Sequence, residues 1–139
     1  MKKWITLLVF AFVAMVTSAQ QGKVYTLTND TITNTGTVYS DVVTSTGAAN
    51  SIVFQVVTTQ LSGTSAGTAI LQGSVDGTSY VTLSEKNGLI AGLPNDTLTI
   101  SNGAIWNITV LNSPWKYYKI KAVGSGTSST KVVYKYIYK

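Results

Sequence analysis

From Tyr117 to Lys139 the chain alternates residue by residue. Tyr118, Ile120 and Ala122 point one way, and Tyr117, Lys119 and Lys121 the other. After Gly124-Ser-Gly126-Thr-Ser-Ser, Val132, Tyr134, Tyr136 and Tyr138 line one face, and Lys131, Lys135 and Lys139 share the opposite one with Val133 and Ile137. A period of two places one face of a strand in a core and leaves the other wet. No stretch of similar length has a 3.6-residue period with helix-forming composition. Thr, Ser, Val, Gly and Tyr dominate instead, and β-branched and aromatic residues favour strands while Gly, Asn and Asp supply turns. The chain is therefore predicted to be all-β.

A coarse pass gives eight or nine antiparallel strands. Lys23–Thr28 and Thr35–Val43 flank a turn at Asn29-Asp30, and Ser51–Gln60 is the first strongly apolar strand. Thr68–Ser74 and Tyr80–Ser84 flank Asp76-Gly77, a dipeptide suited to a tight turn. Glu85–Pro94 reads as a loop holding at most a short extended piece. Thr97–Ser101, Ile105–Leu111, Tyr117–Val123 and Thr130–Tyr138 complete the set, with the last two expected to close as an edge hairpin. Many short strands separated by frequent turns imply a single β-sandwich or jelly roll.

The first residues have a different character. Lys2 and Lys3 precede a mostly apolar run from Trp4 to Val16, which ends in Thr17-Ser18-Ala19. A positive start, a short apolar stretch and a small-residue exit make a secretory signal peptide. The run is too short for a comfortable bilayer span, which wants roughly 20 residues. Cleavage after Ala19 divides the chain into a signal peptide, 1–19, and a domain, 20–139, exported to the periplasm, the outer surface or the medium. The mature domain keeps eight lysines against five acids, and six of the lysines lie from Lys116 onward, where no acid occurs. Lys116, Lys119, Lys121, Lys131 and Lys135 are thus expected to form a basic face. With no arginine in the chain, bidentate phosphate forks are unavailable, and a nucleic-acid partner is not expected.

The inventory for catalysis is thin. The chain has no histidine and no cysteine, which excludes the usual triads, thiol chemistry and zinc sites. Of the five acids, Asp30, Asp41, Asp76, Glu85 and Asp96, three sit in Asn-Asp-Thr or Asp-Gly-Thr contexts where short carboxylates cap backbone amides. No EF-hand spacing appears, and neither a metal nor a cofactor is expected. Aromatic rings are the better candidates for binding. Phe54, Trp106, Tyr118 and part of the Tyr134/Tyr136/Tyr138 row are expected in the core, leaving Trp115, beside Pro114, and Tyr117 as an exposed pair able to stack on sugars. Asn29, Asn95 and Asn107 each begin an Asn-x-Thr sequon, relevant only in a glycosylating pathway.

Two segments resemble known modules. Ala69-Ile-Leu-Gln-Gly-Ser-Val-Asp-Gly-Thr-Ser-Tyr-Val-Thr-Leu83 resembles the L-x-G-S-x-D-G-x-x-[WY]-x-x-L strand–turn–strand pattern of phage virion accessory, or decoration, domains, including those of Bacteroidetes phages. Pro114-Trp-Lys-Tyr-Tyr-Lys-Ile-Lys-Ala-Val-Gly-Ser-Gly-Thr127, running on toward Tyr138, is similar to their closing hairpin. The matching segments cover about a third of the domain. The resemblance implies a β-sandwich on a capsid or tail surface that acts by contact within a protein assembly, compatible with a homo-oligomer. The leader departs from that pattern, because most tailed-phage structural proteins assemble without export. The favoured expectation is an exported, non-catalytic structural or adhesive accessory protein. The alternative is a small carbohydrate-binding protein of the cell envelope.

Overall fold

A computed structural model describes residues 22–47, 51–83, 90–91 and 97–139. The expected signal peptide, the domain start at Gln20, most of the Glu85–Pro94 loop, Asn95 and Asp96 lie outside the described residues. The elements are β1 (Tyr25–Thr26), β2 (Asp30–Thr33), β3 (Thr37–Tyr39), β4 (Val43–Thr44), β5 (Ser51–Gly63) and β6 (Gly67–Ser74). There follow β7 (Val81–Thr82), β8 (Ile90–Ala91), β9 (Leu98–Ile100), β10 (Ile105–Leu111), β11 (Tyr117–Gly124) and β12 (Ser128–Tyr138). The described residues contain no helix, and so none long and apolar enough to cross a membrane.

The strands form two antiparallel sheets. In the first, β1 and β2 share a lane, giving the order β1/β2–β12–β5–β10–β8. In the second, β3 and β4 share one lane, and β7 and β9 another, giving β3/β4–β11–β6–β7/β9. Consecutive long strands alternate between sheets, so the two pairs β5–β12 and β6–β11 form the centres of opposite layers. That is jelly-roll connectivity.

The core lies between the layers. Ile52, Phe54 and Val56 of β5, Ile108 and Val110 of β10, and Val132 and Tyr134 of β12 are buried from one side. Ala69 and Leu71 of β6, Leu98 and Ile100 of β9, and Tyr118, Ile120 and Ala122 of β11 meet them from the other. Phe54 and Tyr118 touch across the gap with ring centroids 5.9 Å apart. Burial alternates strictly along β5 from Ser51 to Thr58 and along the whole of β11, for β11 as the sequence pattern predicts.

Three expectations need correction. The last two long strands are no hairpin: β11 pairs with β6, β3 and β4, while β12 pairs with β5, β1 and β2. The intervening Ser125-Gly126-Thr127 carries the chain from one layer to the other, with Gly126 at φ 79° and the Ser125 N–H donating to the Ala66 carbonyl. Neither strand is therefore an edge. Second, the turn expected at Asn29-Asp30 falls at Asn34-Thr35, because Asn34 accepts a left-handed conformation (φ 53°) and the Gly36 N–H closes on the Thr33 carbonyl. Third, β5 runs on to Gly63 past a bulge. Ser129 pairs with Ser62 but Thr130 with Gln60, leaving the exposed Leu61 as the extra residue.

Candidate functional site

The outward residues of β11 build one surface. Register sets Lys121 beside Tyr39 of β3, Lys119 beside Gln72 of β6, and Tyr117 between Thr44 of β4 and Ser74 of β6. Because β11 is interior to its sheet, this surface extends on both sides of it. Tyr39, half exposed at 50%, stands on one flank, and Tyr80, just ahead of β7, on the other. The Lys119 ammonium lies between their rings, 4.7 Å from the Tyr39 centroid and 3.7 Å from that of Tyr80. Ring quadrupoles attract a cation held over their faces, so this lysine is held between the two rings. Lys116 lies 5.3 Å from the Tyr117 ring.

The turn after β6 supports the site from one end. Asp76 Oδ1 accepts from the Ser79 and Thr78 N–H groups, each at 2.8 Å, and from Ser74 Oγ at 2.9 Å. The Gly77 N–H donates to Ser74 Oγ at 2.9 Å. The two backbone N–H bonds hold the Asp76 carboxyl well below its usual range, with Thr78 and Ser74 side chains adding to them. Gly77 has φ 79°, and a Cβ there would come within 3.3 Å of the Tyr117 ring. The turn thus lies on Tyr117 because glycine lets it. Burial pushes the Tyr80 hydroxyl up, with Tyr117 and Asp76 adding to the effect, and that hydroxyl has no hydrogen-bond partner among the described residues.

The sequence candidates divide among several places. Tyr117, Lys116, Lys119 and Lys121 belong to this surface. Lys131 and Lys135 lie on the outward side of β12, which is the opposite face of the sandwich, so the five lysines form two groups and not one basic face. Trp115 is half-buried and packs on the core, its ring set against Gly73. Its indole N–H is enclosed with no partner among the described residues, so of the expected exposed pair only Tyr117 belongs to this surface, and it too is half-buried. The sequence alone does not single out Tyr39 or Tyr80. Tyr80 occupies the aromatic position of the Asp-Gly-x-x-Tyr pattern, which is a usable signal, whereas Tyr39 is placed only by register with Lys121.

The described acids are engaged locally. Asp41 Oδ2 accepts from the Thr28 N–H at 2.8 Å and Asp30 Oδ1 from the Thr31 N–H at 2.7 Å. Hydrogen bonding from Thr28 lowers Asp41 below its ordinary value. No group of three or more His, Cys, Asp or Glu able to hold a metal ion occurs among the described residues.

No protein-family model matches the chain, and no curated protein matches it. Among solved structures it is similar in fold to the PBSX exported protein XepA, with 15% identity and a TM-score of 0.57 over 84% of this chain and 37% of that one. It is likewise similar to the Yersinia pseudotuberculosis-derived mitogen YPM, with 11% identity and a TM-score of 0.53 over 86% and 88% of the two chains. PirA matches with 8% identity and a TM-score of 0.53 over 87% and 99%. The chain thus spans little more than a third of XepA but most of YPM and PirA. At such identities the likeness is one of fold.

Proposed function

We propose that this protein is an exported, non-catalytic accessory module that acts by surface contact, structural or adhesive in the manner of phage virion decoration domains. The observation that carries the reading is the Tyr39–Lys119–Tyr80 stack. It is an outward, cationic and aromatic surface spanning the sheet from one outer lane to the other, with its central lysine already held between two rings, so that contact costs little side-chain ordering. The leader, the lack of histidine and cysteine, and the fold likeness to a protein described as exported support it. The test is peptide mass spectrometry on envelope fractions and virus particles from the source. Recovery of the mature chain in washed particles or envelopes is expected. Recovery only as free protein in the medium would sink the accessory role.

A second reading is favoured by the same surface. Rings flanking a fixed ammonium suit a glycan that carries carboxylates, with sugar faces on Tyr39 and Tyr117 and the acid group toward Lys119 and Lys121. Tyr39→Ala and Lys119→Ala should then each abolish binding on an acidic-glycan array while leaving the far-UV dichroism unchanged. Wild-type affinity in both variants would refute the glycan site.

A further inference from the structure

The opposite face of the molecule carries a pattern that solvation does not require. The outward residues of β12, β5 and β10 stand in register as three rows. Val133, Val57 and Ile105 form one, Lys135, Gln55 and Asn107 the next, and Ile137, Val53 and Thr109 the third. The rows thus read apolar, polar, mainly apolar, across the widest part of the sandwich. Ile105 is 61% exposed, and Val24, the described residue that reaches over these lanes at one end, is as exposed itself. In the polar row Gln55 Nε2 donates to Asn107 Oδ1 at 3.1 Å, which leaves Gln55 Oε1 and a lone pair on Asn107 Oδ1 facing outward. A hollow of about 150 Å³, lined by Val24, Val53 and Ile137 among others, opens on the same face.

We propose that this face is covered by a second copy of the chain, packed back to back about a two-fold axis parallel to β5. That operation keeps every row at its own level and exchanges β12 with β10. Val57 then meets Val57 of the copy, Val133 meets its Ile105, and Gln55 meets its Gln55. Lys135 falls opposite Asn107 of the copy, whose Oδ1 can accept from the ammonium. The two Lys135 side chains stay about 10 Å apart laterally, because two lanes of about 4.8 Å separate them. Aligned packing of sheets is an ordinary geometry. Four lanes of four to five outward side chains cover on the order of 600 Å² per partner, at the lower end of the specific interfaces. The Tyr39–Lys119 face could not pair with itself in this way, because Lys116, Lys119 and Lys121 would meet their own kind.

The dimer stands without the function proposed above, but one consequence rests on it. Back-to-back packing points the two Tyr39–Lys119–Tyr80 surfaces in opposite directions, making the protein a bivalent bridge between two ligand-bearing surfaces.

The test is multi-angle light scattering, over a wide concentration range, on the chain produced from its full-length gene, with its N-terminus read by intact mass. A dimer of the mature chain is expected. Ile105→Lys and Val57→Lys should each raise its dissociation constant at least about thirty-fold, the scale of an interface hot spot. Because Ile105 is exposed, its variant tests the face even if Val57→Lys fails to fold. Asn107→Asp, which keeps the acceptor for Gln55, should tighten the dimer and make it salt-sensitive by pairing with Lys135 of the copy. Tyr39→Ala should lose ligand binding without changing the mass, so failure of the dimer and failure of the contact function are read separately. A monomer at every concentration would overturn the proposal. So would a dimer indifferent to Ile105→Lys, or one that forms only while residues 1–19 remain attached and cover the face themselves.

Discussion

Trp115 and Gly73 are fitted to one another. A Cβ on residue 73 would come within 2.7 Å of the Trp115 ring, so the indole occupies the space that glycine leaves. Trp115→Ala is expected to cost about 3 kcal/mol, as for large aromatic truncations at a packed site. Trp115→Phe should cost less, because it also removes an enclosed donor that lacks a partner. Urea midpoints check both, and an unchanged midpoint for the alanine variant would return Trp115 to the surface. Asp76 offers a second test. Its carboxyl titrates below the ordinary unfolded value of about 3.9, so the turn adds stability above that pH and loses it as pH falls through the folded value. Asp76→Asn should therefore flatten the acid limb of the stability profile below about pH 4. Equal acid limbs would show that the turn contributes nothing. At this scale the sequence is legible where the chemistry is local. Asp76-Gly77 reads directly as a turn, whereas the burial of Trp115 depends on a glycine in another strand that no neighbouring residue announces.

At the scale of elements, alternation reveals which face of a strand is buried and conceals which strand lies beside it. The faces of β11 and β12 follow from their sequence; their separation into two layers does not, because a glycine-rich connection suits a hairpin and a crossover equally. Close approaches between elements give the next prediction. A Cβ on Gly124 of β11 would collide with the Asn34 carbonyl and meet Ile32 at 2.6 Å. Gly124→Ala should cost about 1–3 kcal/mol by overpacking, read as a lowered thermal midpoint with unchanged dichroism. Tyr138 of β12 ties its lane to β4, its hydroxyl donating to the Thr44 carbonyl at 2.6 Å. Burial, with Tyr136 and Tyr25 nearby, pushes that hydroxyl up to about 12. An unfolded tyrosine ionises near 10, so this contribution is whole below about pH 10 and disappears as pH rises through the folded value. Tyr138→Phe should flatten the alkaline limb. An alkaline limb as steep as that of the parent protein would place the effect elsewhere.

For the whole molecule, the strand-rich composition and the absence of a helical period sufficed to read a sandwich of short antiparallel strands. The candidate surface is half legible: Tyr117 and Lys119 are marked by alternation, but Tyr39 reaches them only through register between distant segments. Long-range pairing also sets the kinetics. Nearly all the strongest contacts join strands far apart in sequence, such as β5 with β12 and β6 with β11. Refolding from denaturant should therefore take on the order of milliseconds to seconds, and it should be indifferent to reductant because the chain has no cysteine. Stopped-flow fluorescence with and without dithiothreitol checks both points.

The position of β12 has a further meaning in time. Ribosomes make the chain from its N-terminus, and β12 is the last of the described strands to emerge, yet it fills the lane between β1/β2 and β5. Until Tyr138 has been made, β5 has an open side and the first two strands have nothing to lie against. Completion of the first sheet thus waits for the last of the described strands, and until that strand is made the layers have no closed core to hold them together.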